Sequence, residues 1–190
     1  MRPIFARYNW TEERGRFFSF CPECGAAMAV EPVDGKLRAR CTGCSFIQYR
    51  NPLPAVGVLA LQGDQALLVK RDIEPFAGKW ALPSGYVEYD EDFVTAGGRE
   101  LREETGLQVE ITHVLHVESA FLSPDLHYLT IYLLAQVSGG TLQAGDDSRE
   151  VAWFPARGPL PEMAFPSDTE LLQSYAAGRL QGLKIDVIAR

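Results

Sequence analysis

No stretch of this 190-residue chain approaches the roughly 18 consecutive apolar residues that cross a bilayer. The longest apolar runs, such as 129–137, are strand-sized and interrupted by polar residues, so no membrane role is expected. Basic charge is also short. Against 25 Asp and Glu stand 18 Lys and Arg, a formal charge of −7, which argues against a protein that grips nucleic-acid phosphates through bulk charge. The N-terminal segment is charged but lacks an apolar core and a small-residue cleavage site, so it does not read as a signal peptide, and a cytoplasmic, thiol-reducing location is expected. The three histidines, His113, His116 and His127, lie in strand-like runs without metal-ligand grouping. Neither repeats nor low-complexity tracts are visible. At 46% hydrophobic and 23% charged residues, the composition suits one good core and a small satellite domain.

Cysteine is confined to the first quarter, where Cys21-Pro-Glu-Cys24 and Cys41-Thr-Gly-Cys44 enclose sixteen residues. Two residues between thiolates let both point at one ion from a tight turn, and two such turns complete a tetrahedron. The spacing is that of a zinc ribbon. Four protein ligands leave no open position for water, so the expected Zn²⁺ is structural, substituting for a core that so short a segment cannot build. Two disulfides or free buried thiols are the alternatives.

The ribbon is expected over 18–50 and a second domain over 51–190, with Asn51-Pro52-Leu53-Pro54 as the boundary, because each proline forces its predecessor out of helix. Residues 1–17 suggest no role. Strands are expected at 37–40, 55–61, 66–70, 109–117, 128–137 and 151–154, the second and third of these joined by a hairpin at Gln62-Gly63-Asp64-Gln65. One helix is expected over about 91–105, closed by Gly106, and another over 167–177, with Ser167 as cap and Glu170 in the capping-box position. This is an α/β, sheet-centred pattern.

On the first helix Glu100, Glu103 and Glu104 stand at i, i+3 and i+4, so three carboxylates share one face. Their repulsion fits either a solvated face or cations between them. Mg²⁺ favours hard oxygen ligands, commonly a few carboxylates plus substrate phosphates. Gly97-Gly98 inside the helix should each cost about 1 kcal/mol relative to Ala, an expense that close approach of another backbone would explain.

The segment 85–107 matches G-x5-E-x7-R-E-U-x-E-E-x-G-U, with U apolar, at all nine fixed positions: Gly85, Glu91, Arg99, Glu100, Leu101, Glu103, Glu104, Gly106 and Leu107. It closely resembles the box of the Nudix hydrolases. The resemblance implies an α/β/α sandwich with a mixed sheet after the ribbon, and Mg²⁺- or Mn²⁺-dependent cleavage of a nucleoside diphosphate linked to a group X. It further implies that Glu100, Glu103 and Glu104 ligate the metal, one of them or an acid on a later loop assisting the attacking water. Gly85 would offer its backbone to the metal, and Glu91 and Arg99 would tie loop to helix.

A ribbon ahead of such a domain is similar to the NADH pyrophosphatases and the zinc-ribbon ADP-ribose/FAD pyrophosphatases, a likeness that also covers Tyr49–Pro52, Lys70-Arg71 and Gly78–Gly85. It implies a homodimer. NADH pyrophosphatases carry S-Q-P-W-P-F-P-x-S after the box, where this chain has Glu118-Ser-Ala-Phe-Leu-Ser-Pro124-Asp-Leu. That departure places ADP-ribose or FAD ahead of NADH, and Pro124 resembles a proline of ADP-ribose pyrophosphatases. The expected products are AMP and the X phosphate. Arg71 and Lys79 are candidates for diphosphate contacts; Tyr49, Phe76, Trp80, Tyr86 and Phe121 are available to stack on adenine, though each also suits a core. Asp147 and Glu150, before the last strand, are candidate extra ligands or bases. A non-catalytic nucleotide-sensing module and a nucleoside-triphosphate-cleaning pyrophosphatase are the alternatives.

Overall fold

A computed structural model describes residues 17–123 and 126–185. Pro124 and residues 1–16 lie outside the described residues. The first unit is a three-stranded sheet of β1 (Met28–Val33), β2 (Lys36–Cys41) and β3 (Ile47–Gln48), in which β2 is central and antiparallel to both neighbours. Asp34 and Gly35, both at positive φ, make the turn between β1 and β2.

The second unit is a mixed sheet in the order β10-β5-β4-β9-β8-β11. Its strands are β4 (Leu53–Gln62), β5 (Gln65–Arg71), β8 (Leu107–Ser123), β9 (Leu126–Gly140), β10 (Ser148–Pro155) and β11 (Leu183–Lys184). Two short strands branch from it, β6 (Trp80–Ala81) beside β5 and β7 (Ser84–Tyr86) beside β4. Only the central β4 and β9 run parallel; the other pairings are antiparallel. The turn at 62–65 closes the expected hairpin. β8 and β9 run well beyond the expected 109–117 and 128–137, and their register is broken by several bulges.

Alternation along β4 divides the core. Val56 and Val58 face α1 (Phe93–Thr105), packing with Ala96 and Leu101. Leu59 faces α2 (Pro166–Ala176), packing with Leu171 and Leu172. The helices thus cover opposite faces, giving the expected sandwich. α1 begins two residues later than 91: Asp92 caps it, its Oδ1 accepting from the Val94 and Thr95 N–H groups at 2.9 Å. Gly106 ends it at φ 71°, donating to the Arg102 carbonyl. α2 corrects the expected cap. Phe165 takes that position without a side-chain bond and Pro166 opens the helix.

The two helix glycines differ. A Cβ on Gly97 would stand 2.6 Å from Leu133 Cδ1 and 3.3 Å from Val58 Cγ2, so the close neighbours are sheet side chains and not the expected backbone. A Cβ on Gly98 would meet nothing within 4 Å. Gly98→Ala should therefore raise stability by about 1 kcal/mol through helix propensity, while Gly97→Ala should lower it by roughly 1–2 kcal/mol through overpacking. Urea melts of the two variants check both signs.

Candidate active site and zinc ribbon

In the ribbon, all four Sγ atoms lie within 4.8 Å of one another. Cys21 to Cys44 is 3.6 Å and Cys24 to Cys41 is 3.4 Å. A disulfide needs about 2.05 Å, and the cysteines are free. Tetrahedral Zn–S bonds of about 2.3 Å place sulfurs roughly 3.8 Å apart, so the donor set fits zinc. The Gly43 N–H donates to Cys41 Sγ at 3.3 Å, which favours a thiolate there.

The box places its carboxylates in unlike surroundings. Arg99 is the hub: Nε donates to Glu91 Oε2 at 3.0 Å, Nη1 to Glu100 at 2.8 Å and Glu103 at 2.9 Å, and Nη2 to Glu91 and to the Tyr86 carbonyl at 3.0 Å. Through Tyr86 and Glu91 it joins helix to preceding loop. The hydrogen bonds from Arg99 hold the Glu91 carboxyl below its ordinary range. Glu100 is raised by burial despite Arg99, with Glu103 and Asp147 pushing the same way.

Glu104 is the buried one, 5% exposed. Burial and the nearby Asp147 charge drive its carboxyl well above the usual range, against the Ser84 N–H, which donates to Oε2 at 3.0 Å. Asp147 arrives from a segment that also satisfies the end of α1: the Gln143 and Gly145 N–H groups donate to the Thr105 and Glu104 carbonyls, and the Asp147 carbonyl accepts from Asp72. Anionic oxygens are thus gathered around a desolvated carboxylate whose burial either protonation or a bound cation would offset. An all-oxygen set of this kind suits Mg²⁺ or Mn²⁺. Among the described residues only the cysteines bring three ligand atoms within 4.8 Å of one another.

Gly85 has a steric reason to be glycine: a Cβ there would strike the Glu100 carboxylate. Gly85→Ala should displace Glu100 and lower activity about tenfold or more, the scale of a misplaced catalytic group, with little change in melting temperature. Steady-state rates beside a thermal melt check this.

The other candidates scatter. The Arg71 guanidinium lies over the Phe165 ring at 5.2 Å and its Nε donates to the Pro75 carbonyl at 3.0 Å, while its charge favours ionised Glu104. Lys79 pairs with Glu162 at 3.0 Å and lines a groove between the 156–164 segment and α2. Glu150 is paired with Lys70 at 3.1 Å. Of the aromatics, Tyr49 lies under Arg38 in the ribbon, Trp80 is buried against Phe154, Phe76 meets Phe165 and Phe121 stacks on His127. Tyr86, next to Gly85 and 45% exposed, stacks on Tyr128 with ring centroids 5.8 Å apart and hydroxyls 2.9 Å apart. Sequence reading missed Ser84 and Tyr128, which carry no pattern of their own.

A NUDIX domain profile matches residues 51–175, and a Nudix N-terminal profile matches 19–50. The ADP-ribose pyrophosphatase of Methanocaldococcus jannaschii is 37% identical over 131 residues, covering 67% of this chain and 75% of that protein. The NAD-capped RNA hydrolase NudC of Pseudomonas aeruginosa is 31% identical over 161 residues, covering 83% of this chain. The chain spans about half, 52%, of that relative's length. A crystal structure of a NUDIX hydrolase from Nitrosomonas europaea superposes with TM-score 0.75 at 30% identity, covering 85% of this chain and 92% of that one.

Proposed function

The chain belongs to the NUDIX hydrolase family, and we propose that it hydrolyses the diphosphate of ADP-ribose or FAD, with NADH next, to AMP and the X phosphate. The observation that carries the reaction is the arrangement of the box carboxylates, with Glu104 buried and held by the Ser84 N–H and Glu100 and Glu103 bound by Arg99. The choice of X is supported by the ADP-ribose pyrophosphatase relative. NADH is supported by the NudC relatives, but the W-P-F sequence of NADH pyrophosphatases is absent at 118–126.

Mg²⁺ or Mn²⁺ bound by Glu100, Glu103 and Glu104 would neutralise the diphosphate and acidify the attacking water. Arg99 holds Glu100 and Glu103 on the helix surface and fixes the Tyr86 carbonyl. The Ser84 N–H keeps Glu104 turned inward. Arg71 is the cation placed to meet a diphosphate oxygen, as a guanidinium grips two at once, and the Tyr86–Tyr128 pair is an aromatic surface for adenine. Water attacks phosphorus, a carboxylate accepts its proton, and the other phosphate leaves. Among the described residues no helix is long and apolar enough to cross a membrane. A cytoplasmic site of action and a homodimer are part of this reading, the latter checked by light scattering.

The test is a turnover panel with Mg²⁺, offering ADP-ribose, FAD, NADH, NAD⁺ and a nucleoside triphosphate separately. AMP from ADP-ribose or FAD well above the rest is expected. Preference for NADH would select the second substrate, pyrophosphate from the triphosphate would point to a nucleotide-cleaning enzyme, and no turnover at all would point to a sensing module.

A further inference from the structure

Asp168 is 4% exposed in the first turn of α2, and none of the chemistry above uses it. Its Oδ2 accepts the Leu82 N–H at 2.9 Å, and its Oδ1 accepts the Tyr132 hydroxyl at 3.2 Å. Tyr132 in turn lies against Gly57 of β4, where a Cβ would stand 2.8 Å from the ring. Burial pushes the Asp168 carboxyl up to about 7, with Leu82 and Tyr132 holding it down, Glu118 of β8 adding to the rise and Arg71 of β5 opposing it. Such a group destabilises the fold near neutral pH relative to an apolar side chain of similar volume.

What it provides is position. From Leu82 the chain runs as a strap of four residues tied in turn to three elements, α2, β4 and α1. The Leu82 N–H goes to Asp168 on α2, the Pro83 carbonyl accepts from Val58 on β4 at 2.8 Å, the Ser84 N–H holds Glu104 on α1, and Gly85 abuts Glu100. The strap is therefore a short backbone link between α2 and the buried carboxylate, hydrogen-bonded to each at its two ends. Its register is fixed at one end by Asp168 and at the other by Glu104.

We propose that Asp168 is a positioning residue whose bond to the Leu82 N–H sets the 82–85 strap, and hence the Glu104 carboxylate, for divalent-metal binding at a site Asp168 does not touch. The inference rests on the reading of Glu104 as a metal-binding carboxylate.

The test uses full-length, zinc-loaded protein carrying Asp168→Ala, Asp168→Asn, Tyr132→Phe or Leu172→Ala. Mn²⁺ binding is read without substrate from the free-ion electron paramagnetic resonance signal, and kcat and KM are read separately. Asp168→Ala should weaken Mn²⁺ binding and lower kcat by about 10- to 100-fold, the range for groups that orient metal ligands. Asp168→Asn should restore both, since an amide offers Leu82 an acceptor and Tyr132 a donor. Tyr132→Phe should weaken Mn²⁺ binding in the same direction by less, and covers the case in which Asp168→Ala does not fold. Leu172→Ala loosens the same helix and the core it shares with Leu82 but leaves the Asp168–Leu82 hydrogen bond its partners, and should leave Mn²⁺ affinity close to wild type. Wild-type affinity in Asp168→Ala or in Tyr132→Phe, equal weakening in Leu172→Ala, or wild-type protein that binds no Mn²⁺ would each overturn the proposal. Wild-type protein that binds Mn²⁺ but turns over no diphosphate would instead overturn the proposed function and leave this test intact.

Discussion

Glu104→Gln should lower diphosphate hydrolysis at least about a hundredfold, the scale of losing a group that holds the metal or handles the proton. The same change should raise the stability of the metal-free protein. Glu104 is buried beside Asp147 and Glu100, and its carboxyl is pushed well above its ordinary range. A raised folded value means that stability is fully present below the unfolded value and is lost as pH rises through the folded one, so toward neutral pH the buried carboxyl works against folding. The neutral amide keeps an oxygen for the Ser84 N–H and removes the charge. Opposite movements of activity and stability are what a functional carboxylate shows. A stabilising Glu would lose both. The check is a pair of measurements on one preparation: kcat with Mg²⁺ and a urea melt in a chelator.

Removal of zinc should have the larger structural effect. Between residues 17 and 50 only Cys21, Ala39 and Cys41 are buried, while Phe18, Phe20, Val30, Leu37 and Tyr49 are each about half exposed or more. Two of the three buried side chains are ligands, so the ribbon has no core apart from its ion. Structural zinc contributes on the order of 10–16 kcal/mol in small ribbons and fingers, far above what three short strands provide. Metal analysis of the wild type should find one zinc per chain, and Cys41→Ser or a strong chelator should abolish it. Residues 18–50 should then become susceptible to limited proteolysis, with the 51–185 segment still protected. A chelated protein whose ribbon resists proteolysis would show the cysteines to be ordinary buried thiols.

The parts of this molecule that were legible in its sequence are those encoded locally. The cysteine pairs, the hairpin at 62–65 and the helix closing at Gly106 each depend on residues a few positions apart, so spacing alone reveals them. The box likewise announces Glu100, Glu103 and Glu104, but not that their environments differ. Glu104 is buried because the Ser84 strap and the 143–147 segment close over it, and both are tertiary events. The ends of β8 and β9 escaped because bulges interrupt the alternation on which strand reading depends. α2 was misplaced by one residue because a proline can open a helix without any capping side chain. Asp168 is an acid in the first turn of α2, a position that is ordinary on a solvated helix and drew no reading from the sequence. Its burial against Leu82, 86 residues away in sequence, has no local signature. Lys79 read as a phosphate contact by charge, and its pairing with Glu162 follows from the fold alone.

The central claim is metal-dependent hydrolysis of an ADP-linked diphosphate at the Glu104 pocket, and AMP release from ADP-ribose tests it most directly. Zinc-loaded protein is incubated with ADP-ribose, with and without added Mg²⁺, and both products are resolved. The account predicts AMP and ribose 5-phosphate in equal amounts, only when Mg²⁺ is present, and at a rate that collapses in Glu104→Gln. Mg²⁺-independent AMP release, or a Glu104→Gln protein that hydrolyses ADP-ribose as fast as the wild type, would contradict it.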